Sequence, residues 1–278
     1  MSTGRLAVCA TPIGNLGDVT LRVLDTLRDA DVIAAEDTRI TRRLLARYEI
    51  STPLEPYHAH NLADRTPKLV ERMAQGESVA LVSDAGTPGV SDPGAHLVDA
   101  CLAAGIPVDV LPGPSAIVTA LVASGLPTHA FYFGGFLPRK AGERLSRLKA
   151  LGVLDATLVF YESPRRAAAT LASVAAALPG RSAAMARELT KVHEEVVRGS
   201  VGELAAELAG RELKGEVVLL VGPPPRGAGR PAVDPAVVRA TLERLEAGGM
   251  SRSAAAREAA TLLGIARNQV YRIAHGDE

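Results

Sequence analysis

The chain has 278 residues, 47% of them apolar, which suffices for one large or two ordinary globular domains plus an appendage. Its 31 Lys and Arg balance 31 Asp and Glu, so no global charge draws it to nucleic acid or membrane and any basic surface must be local. No apolar run approaches the ~20 residues of a membrane span, and the start MSTGRLAV lacks a signal-peptide core; with Cys9 and Cys101 set apart in apolar surroundings, a cytoplasmic protein with packed thiols is expected.

From Arg5 to Gly125 short apolar runs alternate with stretches of helical periodicity: RLAVCA then TLRVLDTLRDA, DVIAAE then ITRRLLARY, SVALVS then GAHLVDACLAAG, VDVLP then AIVTALVASG. Strands this apolar are buried on both faces, which predicts a parallel sheet with helices on either side. Asp92-Pro93 and Ser115 are suited to helix starts, and Gly105 and Gly125 to helix stops.

A different rhythm runs from 127 to 222: FYFGGF, a basic helix, ATLVFYES, an Ala-rich helix, AAMARE, EEVVRG, GELAAELAG and GEVVLLVG. It predicts a second α/β domain with partly antiparallel pairing. PPPRGAGRPAV, over 223–233, reads as a linker. Beyond it, residues 234–278 read as a small all-helical domain: Asp234-Pro235 opens one helix, Gly248-Gly249 closes it, Ser251 caps a second, and Gly264 precedes a third in ARNQVYRIA. Helix, glycine turn and helix is the helix-turn-helix pattern, shared by plain helical bundles and nucleic-acid readers. The fold class is therefore α/β, with a parallel domain over 1–126, a mixed domain over 127–222 and the helical appendage.

Three polar, glycine-bearing loops follow strands of the first domain: TPIGNLGD, SDAGTPG and LPGPSA. In a parallel sheet they share one edge, where ligands of open α/β sheets bind. A phosphate cradle is excluded for SDAGTPGVSDPG, because it holds no Lys or Arg and both Asp84 and Asp92 repel phosphate. The loop suits a neutral or positively charged ligand.

ATPIGNLGD, AEDTRITRRLL, SDAGTPGVSDPG, LPGPSA, YESPRR and ARELTKVHEE, in that order, closely resemble the tetrapyrrole methylase superfamily, and TPIGNLGD with EDTR and YESPRR resembles its branch that modifies small-subunit ribosomal RNA. The resemblance implies two α/β domains with the methyl donor S-adenosylmethionine folded into the cleft between them, a homodimer, and methylation of a cytidine ribose 2′-hydroxyl in the decoding region of 16S rRNA; no metal is expected, since the spacing of His58 and His60 finds no third ligand nearby. The implied donor matches the charge of SDAGTPGVSDPG, since it carries a sulfonium and an ammonium. Asp84 is then the first donor-binding carboxylate, with Ala85, Gly86 and Thr87 approaching through backbone or hydroxyl; an Asx-turn at a strand end is the plainer reading of Asp84. By the same resemblance Pro12, Pro114, Ser115 and Ala116 line the donor cleft from the first domain, and Tyr161, Glu162, Ala186, Arg187, Glu188 and Leu189 close it from the second. Ser115 as a helix cap, Glu162 before a helix start, and Arg187 with Glu188 as a surface ion pair are alternatives that need no ligand.

Methyl transfer to a ribose hydroxyl gains from positioning and from a general base. Glu36 and Asp37, at the same sheet edge, are the leading candidates, and His58 in YHAHN is the next; for the two acids, capping of the following helix competes. RNA contact is expected from Arg39, Arg43 and Arg47 along one helical face, with Arg42 beside it, and from Arg139, Lys140, Arg144, Arg147, Lys149, Arg165 and Arg166. With nine Phe and Tyr and no Trp in the chain, recognition by RNA shape and phosphates is expected rather than a broad stacking surface. Methylation of a tetrapyrrole precursor or a protein keeps the donor and changes the acceptor, and a ligand-sensing DNA-binding regulator is the remaining alternative.

Overall fold

The computed structural model describes residues 4–225, 235–263, 265 and 267–275. The apolar runs of the first lobe form a parallel sheet of β1 (Arg5–Cys9), β2 (Val32–Ala35), β3 (Leu54–Pro56), β4 (Ser78–Val82) and β5 (Val108–Leu111), in the order β3-β2-β4-β1-β5. Between the strands run α1 (Leu21–Asp29), α2 (Thr38–Arg47), α3 (Leu62–Ala74) and α4 (Gly94–Ala103), and α5 (Ala116–Ser124) follows β5. Alternate strand residues feed two cores. Ala7 and Cys9 of β1 pack with Val23, Leu27, Leu44 and Leu45 of α1 and α2, whereas Leu6 and Val8 pack with Leu69, Met73 and Leu97 of α3 and α4. Burial on both faces is why these strands show no polar alternation. It also pushes the Cys9 thiol up to about 12 and Cys101 up to about 11, so both are inert packing groups at neutral pH.

The structure adds β3 and α3 to the expected elements, so SDAGTPG follows the fourth strand and LPGPSA the fifth. β3 is a three-residue edge strand containing Glu55 and Pro56, too short and polar to stand out. The α3 pattern is interrupted by Pro67, and Asn61 makes no capping bond at its start.

The second lobe comprises β6 (Phe131–Phe136), α6 (Ala141–Leu151), β7 (Thr157–Glu162), α7 (Pro164–Ala177), β8 (Ser182–Arg187), β9 (Glu195–Ser200), α8 (Val201–Leu208) and β10 (Val217–Val221). Its sheet order is β6-β7-β10-β8-β9, with β6 and β7 parallel and the other pairs antiparallel. This is the mixed pairing predicted. The two lobes share a core: Ile13, Ala120 and Leu121 of the first pack with Val159, Ala184, Ala186, Leu189, Val218 and Leu220 of the second. Accordingly Met1–Leu148 and Ala156–Pro223 form one compact unit.

The other unit takes Lys149–Asp155 and Pro224–Glu278. Within it α9 (Pro235–Ala247), α10 (Arg252–Leu263) and α11 (Arg267–His275) close on Val238, Leu242, Ala255, Ala259, Ile265 and Val270. The Ser251 hydroxyl accepts the Ala254 N–H at 3.4 Å, and Gly249 has φ +90° in the turn between α9 and α10. The expected linker lies, from residue 226 onward, outside the described residues, as do Asp234 and Gly264.

Candidate active site

Backbone and side-chain bonds bring the strand-edge loops together. Thr11, after β1, exchanges both backbone hydrogen bonds with Gly86, each 2.9 Å, and its hydroxyl donates to Ser83 O at 3.0 Å. Gly113, after β5, lies so close to Ala10 that a Cβ there would meet the alanine methyl at 2.8 Å. The ends of β2 and β4 are laced by Asp84 Oδ1, which accepts the Asp37 N–H at 2.9 Å, and the Asp84 backbone N–H favours the ionised Glu36 carboxylate. Asp92 does not face outward; its carboxylate gathers the N–H groups of Gly89 at 2.8 Å and Gly94 at 2.6 Å, fixing the loop into α4.

These loops and the second lobe enclose a cavity of about 470 Å³, within the usual range for small-ligand sites. Of the residues anticipated from sequence, Asp84, Ala85, Gly86, Thr87, Ser115, Ala116, Tyr161 and Glu162 line it. Ser115 stands at the α5 N-cap, yet its side chain makes no capping bond and stays available to a ligand. Pro114 borders a second depression, with Ser115, Val118 and Thr190. Pro12 is buried beside Ile13, which does line the cavity. The segment 186–189 supports the wall rather than forming it. Ala186 and Leu189 belong to the shared core, Arg187 pairs with Glu195 at 3.1 Å, and Glu188 pairs with Lys191 at 2.8 Å while accepting the Glu216 N–H at 3.0 Å. Sequence reasoning missed Phe136 and the wall Gly215–Val218, whose signal, an apolar strand opening on Gly-Glu, is indistinguishable from any buried strand start.

Among the described residues the cavity wall holds Glu36, Asp84, Asp92, Glu162 and Glu216 and no Lys, Arg or His. Glu162 is compensated, with Thr170 donating at 2.7 Å, the Ser163 N–H at 2.8 Å and Arg166 at 3.2 Å. Glu216 pairs with Lys191 at 3.0 Å. Glu36 and Asp84 have no ion-pair partner among the described residues. Burial raises the Glu36 carboxyl above its usual range, and the charges of Asp84 and Asp92 add to it. Asp84 is also raised, first by burial and against the Asp37 N–H, with Asp37, Asp92 and Glu216 contributing. Two carboxylates held together without a cation form a site that gains from binding one. The sulfonium and ammonium of S-adenosylmethionine fit that donor set.

The three base candidates separate in space. Glu36 lines the cavity. Asp37 caps α2, accepting the Arg39 N–H at 2.8 Å and pairing with the Arg39 side chain at 2.6 Å, bonds that hold its carboxyl down at about 2. His58 lies away from the cavity, with its Nδ1 buried and unpartnered and its ring edge-on to His60 at 6.0 Å; no His, Cys, Asp or Glu cluster among the described residues could hold a metal.

The cations separate too. Arg39, Arg42, Arg43 and Arg47 are exposed along α2, which starts at the Glu36 strand end. Arg139, Lys140, Arg147, Lys149 and Arg165 are also exposed. Arg144 is not: it is 7% exposed, donating to Ser173 Oγ at 2.9 Å, Arg139 O at 3.0 Å and Pro138 O at 3.3 Å. Arg166 donates to Leu137 O at 2.8 Å besides pairing with Glu162. These guanidiniums fasten the loop after β6 from inside, which removes them from an RNA-facing surface. Arg144→Met keeps most of the packing and strands those acceptors, so it should lower unfolding stability by about 1–3 kcal/mol, read as a shifted urea midpoint; an unchanged midpoint would contradict this structural role.

Residues 5–205 match the family of tetrapyrrole (corrin/porphyrin) methylases. The chain is 49% identical to the ribosomal RNA small subunit methyltransferase I of Mesorhizobium japonicum, covering 96% of this chain and 90% of the relative. It is 44% identical to the protein of that name from Synechocystis sp., covering 97% of each. Its fold also matches the crystal structure of uroporphyrin-III C-methyltransferase from Thermus thermophilus complexed with S-adenyl homocysteine, with a TM-score of 0.56 at 22% identity over 79% of this chain and 97% of that one. The chain therefore belongs to the tetrapyrrole methylase family and, within it, to the ribosomal RNA small subunit methyltransferase I group.

Proposed function

We propose that this protein is an S-adenosylmethionine-dependent methyltransferase that modifies the ribose 2′-hydroxyl of a cytidine in the decoding region of 16S rRNA, working as a homodimer in the cytoplasm. The observation that carries the donor assignment is the cavity wall in which Glu36 and Asp84 stand without a cation. The donor supplies an electrophilic methyl on a positively charged sulfur. Asp84 offers that ligand negative charge, while Ser115 offers an uncommitted hydroxyl. Tyr161 and the strand start at Val217 supply the apolar flank. Glu36 accepts the proton that leaves the ribose hydroxyl as the new O–C bond forms and the sulfur–methyl bond breaks, with S-adenosylhomocysteine as the leaving group. Burial and neighbouring acids strengthen it as a base.

The RNA assignment follows the names of the relatives and fits the exposed arginines of α2, beside the Glu36 strand end, and the basic stretch after β6. Incubating the protein with methyl-labelled donor and small ribosomal subunits that lack the modification should place label on one cytidine ribose, located by mass mapping. Label on a tetrapyrrole with none in RNA would overturn the acceptor assignment.

A further inference from the structure

β6 runs in regular register with β7 as far as Phe133 opposite Val159, then shifts so that Phe136 stands opposite Tyr161. Three steps along β6 thus match two along β7. Gly134 and Gly135 absorb the difference: a Cβ on Gly134 would sit 2.5 Å from Phe160 Cε1, and Gly135 has φ +60°. A bulge of this kind re-aims a side chain. Here it turns Phe136 out to 57% exposure while keeping it in the cavity wall. The ring is backed by Tyr161, centroids 5.8 Å apart, and Tyr161 by Phe133 at 4.9 Å.

The loop after Phe136 is held as firmly. Arg144 and Arg166 bind the carbonyls of Leu137, Pro138 and Arg139, leaving the exposed side chains of Arg139 and Lys140 a few residues from the aromatic face. An exposed ring at the rim of a cavity, followed in the loop by the exposed Arg139 and by Lys140, which pairs with Glu143 at 3.1 Å, suits a single-stranded nucleotide held by its base and phosphate.

We propose that Phe136 is the stacking platform for an unpaired nucleobase of the RNA acceptor, positioning the neighbouring ribose at the cavity mouth. This rests on the reading that RNA is the acceptor. Stacking tolerates any aromatic ring and fails with an aliphatic one. Phe136→Ala and Phe136→Leu should lower kcat/KM for unmodified small subunits about 10- to 100-fold, Phe136→Tyr should stay within about threefold of wild type, and the affinity for S-adenosylhomocysteine should be unchanged in all three.

Wild-type enzyme that leaves RNA unlabelled removes the acceptor and overturns both readings. Labelled RNA with full activity in Phe136→Ala and Phe136→Leu overturns the platform alone. So does a parallel loss of S-adenosylhomocysteine affinity, which would assign the ring to the donor, or dissociation of an oligomer by Phe136→Ala in sedimentation, which would assign it to a second copy.

Discussion

Glu36→Gln should lower kcat for methyl transfer by about 10²- to 10⁴-fold, a larger effect than its loss of donor affinity, which follows from removing one of the two carboxylates that favour a cation. Gln keeps the length of the side chain and leaves untouched the Asp37–Asp84 bond that laces β2 to β4. It loses the ability to take a proton. Asp37→Asn and His58→Gln provide the contrast, because the first residue caps α2 and the second lies outside the cavity; both variants should turn over near the wild-type rate. Similar losses in all three would dismiss Glu36 as the base.

A base acts only when ionised, and Glu36 is raised, so the acid limb of kcat/KM should lie above the ordinary glutamate range and flatten in Glu36→Gln. Asp84 is raised as well and interacts with it, so the limb belongs to the pair. A carboxyl whose folded pKa is raised favours folding in its protonated form. That contribution is complete below the unfolded pKa and is lost as pH rises through the folded one. At neutral pH the ionised pair therefore weakens the ligand-free fold. Glu36→Gln should melt higher than wild type at pH 7 and lose that advantage in acid. A lower melting temperature at pH 7 would contradict the electrostatic account.

How much of this could be read from the chain depends on whether a residue's role is local. The strands of the first lobe were legible because burial on both faces leaves continuous apolar runs, as with Leu6 to Cys9. The loop after β4 was legible because carboxylates without Lys or Arg at a parallel strand end exclude a phosphate cradle and favour a ligand of the opposite charge. β3 was not, since a three-residue edge strand carries no period. Arg144 looks like its neighbour Arg147 in sequence, and only the fold sets Ser173 and two carbonyls around it. Phe136 and Glu216 enter the site through strand register: one through a bulge against β7, the other because Val217 of β10 pairs with Glu162. Register between distant strands is a tertiary property, and no local pattern announces it.

Asp84→Asn should weaken binding of S-adenosylmethionine about 10- to 100-fold, the usual effect of losing a charge-assisted contact, while leaving the loop in place. One side chain divides its labour here. Asp84 Oδ1 already accepts the Asp37 N–H, a bond that an Asn oxygen can keep, so the substitution removes charge without removing the anchor. Calorimetry with two ligands then tells which charge Asp84 meets. S-adenosylhomocysteine retains the ammonium and lacks the sulfonium. An equal loss for both ligands means that Asp84 serves a group they share, such as the ammonium, and a loss confined to S-adenosylmethionine means that it faces the sulfonium. Because Asp84 is raised in the ligand-free protein, cation binding should also release protons in mildly acid buffer, seen as a dependence of the apparent enthalpy on buffer ionisation. The release should shrink in Asp84→Asn. Unchanged affinity in that variant, or ATP binding to wild type as tightly as S-adenosylmethionine, would refute a pocket selected by uncompensated negative charge, since triphosphate and onium ligands make opposite demands on the same wall.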